Sequence, residues 1–83
     1  MHQGQMNFMF LSDLEKNKVA RISNILDGEF SINAKLREVG FAEGDEVEII
    51  AYGPVAKTPI CVRLNRTMIA LRPNEAKYIE VEL

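Results

Sequence analysis

The chain has 83 residues, of which 47% are hydrophobic and 27% are charged, so it can form one small soluble domain but not a multidomain enzyme. Its single cysteine, Cys61, excludes an internal disulfide, and a reducing compartment fits best. The formal net charge of −2 argues against a protein that neutralises a nucleic-acid backbone, and no apolar run approaches the roughly 20 residues that cross a bilayer.

The N-terminal segment, residues 1–10, is expected to be partly ordered. Met6, Phe8 and Phe10 recur with a period of two, which is compatible with an added strand. Ser12 is followed three residues later by Glu15, and this spacing predicts a short turn capped by the Ser12 hydroxyl.

A strand is predicted over residues 19–26, after a turn in which Asn17 takes a positive φ. Its apolar parity contains Ala20, Ile22 and Leu26. The pair Asp27-Gly28 then ends the strand.

A short helix follows the first strand, because the hydrophobic period changes from two to about 3.6. Ser31 is the expected N-cap. Gly40 fits the left-handed position after the helix, which makes Leu36 and Phe41 the apolar pair of a Schellman motif. The core-facing residues are predicted to be Ile32, Leu36 and Val39.

A second strand is predicted over residues 45–52, with Gly53-Pro54 ending it. Pro59 lacks an amide donor and can stand only at the start or edge of the next strand, residues 60–64. The inward residues of the second strand are predicted to be Val47, Ile49 and Ala51.

A hairpin is predicted around Asn65-Arg66. A two-residue loop would pair Leu64 with Thr67, Val62 with Ile69 and Ile60 with Leu71. A longer loop stays open, because a type I′ turn favours glycine where Arg66 stands. One helical turn at residues 73–76 and a last strand at 77–83 complete the chain, with Ile79, Val81 and Leu83 on one side.

These elements predict a mainly β fold, a small antiparallel barrel of about five strands with one short helix. Curling into a barrel is the most economical way for short antiparallel strands to remove exposed edges. No internal repeat or linker interrupts the sequence.

The sequence contains no constellation that supports catalysis. Its one histidine, His2, lies at the chain end, far from any nucleophile, and Cys61 has no ligand at zinc spacing. The acidic residues between Glu43 and Glu48 fit a solvated face better than a cation loop. We therefore expect no enzyme, no cofactor and no metal site, and direct ferrous-ion binding would have to use carboxylates.

The remaining candidate is a docking surface. The outer side of the hairpin is expected to carry Cys61, Arg63, Met68 and Ala70, and the neighbouring strand could add Ile50 and Tyr52. An equally open alternative is that the segment from Met6 to Phe10 folds over this side.

Two motifs stand in order along the chain. One is L-x-x-x-G-[FL]-x-x-G, here Leu36, Gly40, Phe41 and Gly44. The other is I-A-L-R-x-x-E-A, here Ile69, Ala70, Leu71, Arg72, Glu75 and Ala76. Together they make residues 11–83 resemble the FeoA family of small ferrous-iron transport accessory proteins. The family usually has glycine where Asn17 or Lys18 stands, and often at Asn65-Arg66.

The resemblance implies an SH3-like barrel over residues 11–83 and a cytoplasmic accessory role. The implied partner is FeoB, a membrane ferrous-iron transporter with a GTP-binding domain, so contact with the membrane would occur only through that partner. Weak self-association stays open, and nucleic acid is not expected as a partner.

The alternative is a regulatory, peptide-binding module similar to the C-terminal domain of iron-dependent repressors, using aromatics such as Phe41, Tyr52 and Tyr78. The candidate contact residues are Gly40, Phe41, Gly44, Tyr52, Cys61, Arg63 and Met68.

Overall fold

A computed structural model of the protein describes residues 8–83, which form six β-strands and two α-helices. The strands are β1 Phe8–Phe10, β2 Val19–Ile25, β3 Glu46–Val55, β4 Thr58–Leu64, β5 Thr67–Leu71 and β6 Ile79–Glu82. The helices are α1 Ile32–Val39 and α2 Pro73–Ala76. The mainly β class with one short helix is confirmed, and α2 is a single turn.

The strands form one antiparallel sheet in the order β1-β6-β2-β3-β4-β5. One side of the sheet faces a single apolar core, against which the side chains of α1 and α2 also pack. The largest side chains of this core include Leu11, Ile22, Leu36, Phe41, Ile49 and Ile79. The sheet therefore has an outer side that is free to carry charge.

Strand β1 lies at one edge of the sheet and pairs with β6. Met9 is half-buried against the core, while Phe8 and Phe10 are exposed. The alternative in which this segment folds over the β4–β5 hairpin is therefore wrong for Phe8–Phe10, because β5 lies at the opposite edge. Met6 lies outside the described residues.

The side-chain caps predicted for Ser12 and Ser31 do not form. The turn at Leu11–Asp13 is a 3-10 helix whose N-cap is Phe10, with no side-chain cap bond. Ser31 is the N-cap of α1, but its φ of 55° is left-handed and its hydroxyl caps nothing. The positive φ predicted for Asn17 is confirmed at 69°.

The C-terminus of α1 follows the predicted Schellman motif. The Phe41 N–H donates to the Leu36 carbonyl at 3.1 Å, and the Gly40 N–H donates to the Arg37 carbonyl at 3.1 Å. Val39 is 48% exposed, so its predicted place in the core is wrong. The helix ends before Gly40, and the next residue, Phe41, is buried in the core.

Strand β3 is longer than predicted and runs through Gly53-Pro54 to Val55. A Cβ at Gly53 would overlap the Thr58 backbone, so the glycine lets β3 and β4 approach closely. The reversal occurs instead at Ala56 and Lys57, whose φ values are 51° and 59°.

A register shift between Ile49 and Ala51 changes which side chains of β3 face the core. Ala51 is exposed, contrary to its predicted inward position. Tyr52 pairs with Ile60 and packs against the core, so it does not join the outer side.

The β4–β5 hairpin has the predicted register, with Leu64 opposite Thr67, Val62 opposite Ile69 and Ile60 opposite Leu71. Asn65 takes the positive φ of 54° and Arg66 does not, which removes the strain expected at Arg66. Strand β6 is shorter than predicted and leaves Leu83 exposed.

Candidate partner-binding site

The hairpin face consists of the outward side chains Cys61, Arg63, Met68 and Ala70 of β4 and β5. Arg63 lies directly opposite Met68, and Cys61 lies opposite Ala70. Met68 is 52% exposed, and the free Cys61 is half-buried. The structure thus brings together three of the predicted contact residues, Cys61, Arg63 and Met68.

The hairpin face continues across the sheet as a row of paired side chains. Val19 lies opposite Glu48, Glu48 opposite Arg63, and Arg63 opposite Met68. Arg63 and Glu48 form an ion pair. The row therefore has exposed apolar side chains at both ends and an ion pair in its middle.

A second row runs parallel to the first. Phe8 lies opposite Glu82, Glu82 opposite Arg21, and Arg21 opposite Glu46. An Arg21 guanidinium nitrogen lies 3.5 Å from the Glu46 carboxylate. Sequence reasoning missed these residues, because their proximity depends on the strand order β1-β6-β2-β3, which brings together residues as distant in the chain as Phe8 and Glu82.

The Gly corner, residues 40–44, joins α1 to β3. Gly44 has a φ of 92°, its N–H donates to the Ile22 carbonyl at 2.8 Å, and its carbonyl accepts from Arg21 at 2.6 Å. The corner is therefore tied to β2 next to the second charged row. Gly40 and Gly44 are both exposed.

A bidentate ion pair spans the Gly corner. The two terminal nitrogens of Arg37 donate to the two Glu43 carboxylate oxygens at 2.8 and 2.7 Å. This hydrogen bonding lowers the pKa of Glu43 to about 2. Glu43 is therefore ionised at neutral pH and holds the corner to the helix.

The same arginine links the corner to the strand before the helix. Arg37 Nε donates to Asn33 Oδ1 at 3.0 Å, and Asn33 Nδ2 donates to the Ile25 carbonyl at 2.6 Å. The spacing of four residues between Asn33 and Arg37 on a helix was the available sequence signal for this pair, and sequence reasoning missed it.

The side chains of two predicted contact residues pack against the core and are not part of the exposed surface of the hairpin face or the Gly corner. Phe41 is 1% exposed and belongs to the core. Tyr52 packs against the core, with Lys57 Nζ 5.1 Å from its ring centroid. Phe41, Tyr52 and Tyr78 therefore do not form the exposed aromatic platform that a proline-containing peptide would need.

Residues 8–83 contain no group of three or more His, Cys, Asp or Glu side chains placed to hold a metal ion. In the part of the chain that the structure describes, neither helix is long and apolar enough to cross a membrane.

The family model described as "FeoA domain" matches residues 9–83. A protein of Helicobacter pylori (strain ATCC 700392 / 26695), named as a candidate Fe(2+) transport protein A, is 28% identical over 74 residues, which cover 89% of this chain and 96% of that protein.

Two solved structures have the same fold. FeoA of Stenotrophomonas maltophilia in complex with zinc is 39% identical, with 88% of each chain covered and a TM-score of 0.76. It is described as a prokaryotic SH3 domain protein and a candidate ferrous iron transport activating factor. A manganese-dependent transcriptional repressor is 15% identical, with 95% of this chain and 43% of the repressor covered and a TM-score of 0.81, which is a likeness of fold alone. The predicted SH3-like fold is confirmed.

Proposed function

This chain belongs to the FeoA domain family, and from that membership we propose that it is an accessory protein for ferrous iron transport. It acts in the cytoplasm by docking on the cytoplasmic part of a FeoB-like membrane transporter. The match to the FeoA domain over residues 9–83 is the observation that carries this proposal. The Fe(2+) transport name of the Helicobacter relative and the activating role suggested for the Stenotrophomonas structure support it.

The protein works by binding rather than by catalysis. Its two sheet rows offer exposed apolar side chains beside paired charges, and Met, aromatic and Arg side chains are enriched at protein interfaces. Met68 ends the first row beside Arg63, and Phe8 ends the second. Such a mixed surface suits a partner that is bound reversibly.

The docking surface is the hairpin face together with the Gly corner. On the hairpin face, exposed Met68 supplies the apolar anchor and the Arg63–Glu48 pair fixes the charges beside it. At the corner, Gly40 and Gly44 leave the backbone open to a partner, and the Arg37–Glu43 pair holds its shape.

Co-purification of the tagged protein with the transporter from membranes tests the proposal. The unmodified protein is expected to associate, and Met68→Glu is expected to reduce the recovered complex, because it places a charge on the apolar anchor. Val55→Glu is the matched control, since Val55 is also an exposed apolar strand residue but lies at the β3–β4 turn, away from the hairpin face.

Failure of the unmodified protein to associate, together with normal ferrous iron uptake in a strain that lacks it, would contradict the proposal. Equal loss of complex in Met68→Glu and Val55→Glu would reject the hairpin face as the contact. Amide signals that shift on addition of the transporter's soluble domain would then locate the surface that is used.

A further inference from the structure

A groove of about 350 Å³ lies between α1, α2 and the turn that follows α2. It is lined by residues that include Phe30, Ile32, Lys35, Arg72, Lys77 and Tyr78. None of these residues belongs to the hairpin face or the Gly corner. The groove is therefore a second surface.

The floor of the groove is fixed by close packing. A Cβ at Gly28 would lie 2.4 Å from Tyr78 Cε1 and 2.8 Å from Ile32 Cγ2, so the Tyr78 ring can rest there only because residue 28 is glycine. The Tyr78 carbonyl also accepts from the Leu26 N–H at 2.8 Å. The groove therefore has a rigid, partly apolar base.

An ion pair joins the two helices across the groove. Lys35 Nζ of α1 lies 2.9 Å from the Glu75 carboxylate of α2. The other Glu75 oxygen accepts from the Arg72 N–H at 3.0 Å, and this bond lowers the pKa of Glu75. Glu75 is thus ionised and already bonded to groups of its own chain.

The charges that remain at the groove are mostly positive. Besides the paired Lys35 and Glu75, the groove is lined by two cations, Arg72 and Lys77, and by one further carboxylate, Glu29. Lys77 Nζ lies 5.7 Å from the Tyr78 ring centroid, which places its charge beside the apolar floor. This sign is opposite to the net charge of the whole chain, −2.

A large apolar side chain stands at the rim of the groove. Phe30 is 94% exposed, and its φ of 58° and that of 55° at Ser31 are left-handed. Phe30 thus adds a large apolar surface at the rim, next to the positive charges of the groove.

We infer that this groove binds an acidic segment of a partner protein. A carboxylate of the segment pairs with Arg72 and Lys77, and an adjacent apolar side chain packs between Phe30 and the Tyr78 ring. Arginine recognises carboxylates through two parallel hydrogen bonds, and complementary charge favours this segment over basic ones. The inference is independent of the transporter docking proposed for the hairpin face.

The test uses the full chain, isotopically labelled, and a capped hexapeptide of alternating glutamate and leucine as the probe. Amide shifts are expected to cluster in residues 29–35 and 72–78. The double variant R72Q/K77Q is expected to weaken binding at least about threefold, since it removes two exposed charge pairs. The control K16Q/R66Q also removes one lysine and one arginine, at exposed positions outside the groove, and is expected to bind like the unmodified chain.

Equal binding of a lysine and leucine hexapeptide would overturn the inference, as would equal weakening by R72Q/K77Q and K16Q/R66Q. Tighter binding of a single-stranded oligonucleotide than of the acidic peptide would also overturn it, since the groove would then recognise phosphate. Amide spectra of both variants establish that they are folded. If the acidic peptide fails to bind the unmodified chain while that chain still co-purifies with the transporter, only the groove inference is lost.

Discussion

At the scale of single residues, Phe41 and Phe30 have the same side chain but very different exposure to solvent. Phe41 is 1% exposed and Phe30 is 94% exposed. We expect Phe41→Ala to lower the free energy of unfolding by about 3–5 kcal/mol, because it leaves a cavity in the core. Phe30→Ala should change it by less than about 0.5 kcal/mol. Urea unfolding measures both, and equal losses would show that the core is wrongly placed.

The Arg37–Glu43 pair gives a pH dependence with a definite sign. The pKa of Glu43 is about 2 in the folded protein and has an ordinary value of 4.5. Because the folded value is the lower one, ionised Glu43 stabilises the fold above about pH 4.5, and that stabilisation is lost as the pH falls toward 2. The stability difference between the unmodified chain and Glu43→Gln should therefore shrink over this window.

Glu38→Gln is the control for the Glu43 experiment, since it removes a carboxylate from an exposed position of α1. Chemical unfolding between pH 2 and pH 7 measures all three proteins. A difference between Glu43→Gln and the unmodified chain that stays constant across this range would contradict the role given to the ion pair.

At the scale of elements, helix α1 was predicted correctly, but the burial predicted for one of its residues was wrong. The predicted core face contained both Leu36 and Val39, but only Leu36 is buried. We expect Leu36→Ala to cost about 2–5 kcal/mol of unfolding free energy. Val39→Ala should stay within about 0.5 kcal/mol, because it alters an exposed side chain. If both substitutions cost the same in urea unfolding, the helix would be rotated from the orientation described.

Local signals predicted much of the fold because they act over a few residues. The register of β4 and β5 follows from alternating aliphatic residues around Asn65, and the end of α1 follows from Gly40. Asn17 and Asn65 both take a positive φ. Asparagine tolerates this conformation better than most other non-glycine residues, which made both turns predictable.

Features that depend on distant contacts were not predictable. The shift at Ile50 turns Tyr52 toward the core, and nothing in the alternation of β3 indicates it. The continuation of β3 past Gly53 depends on its close approach to Thr58. Of the candidate site, the hairpin face could be predicted from β4 and β5 alone, whereas the groove required the packing of Tyr78 on Gly28.

At the scale of the whole molecule, the fold separates two surfaces with different chemistry. Each of the two rows on the outer side of the sheet contains carboxylate and guanidinium groups, and their opposite charges pair between neighbouring strands. The groove lies among α1, α2 and their flanking turns and has a positive character. The proposed docking surface and the proposed groove site therefore share no residues.

Strand β1 completes this molecule by covering the edge of β6, and its removal tests that role. A chain lacking residues 1–10 exposes the ladder groups of β6 and loses the contact of half-buried Met9 with the core. We expect the free energy of unfolding to fall by about 1 kcal/mol, roughly half the value of a fully buried side chain. Because an uncovered edge strand pairs readily with another chain, we also expect concentration-dependent dimers in sedimentation experiments. A chain lacking only residues 1–7 retains β1 and is the control, and equal dimerisation of the two truncated chains would show that β1 does not protect this edge.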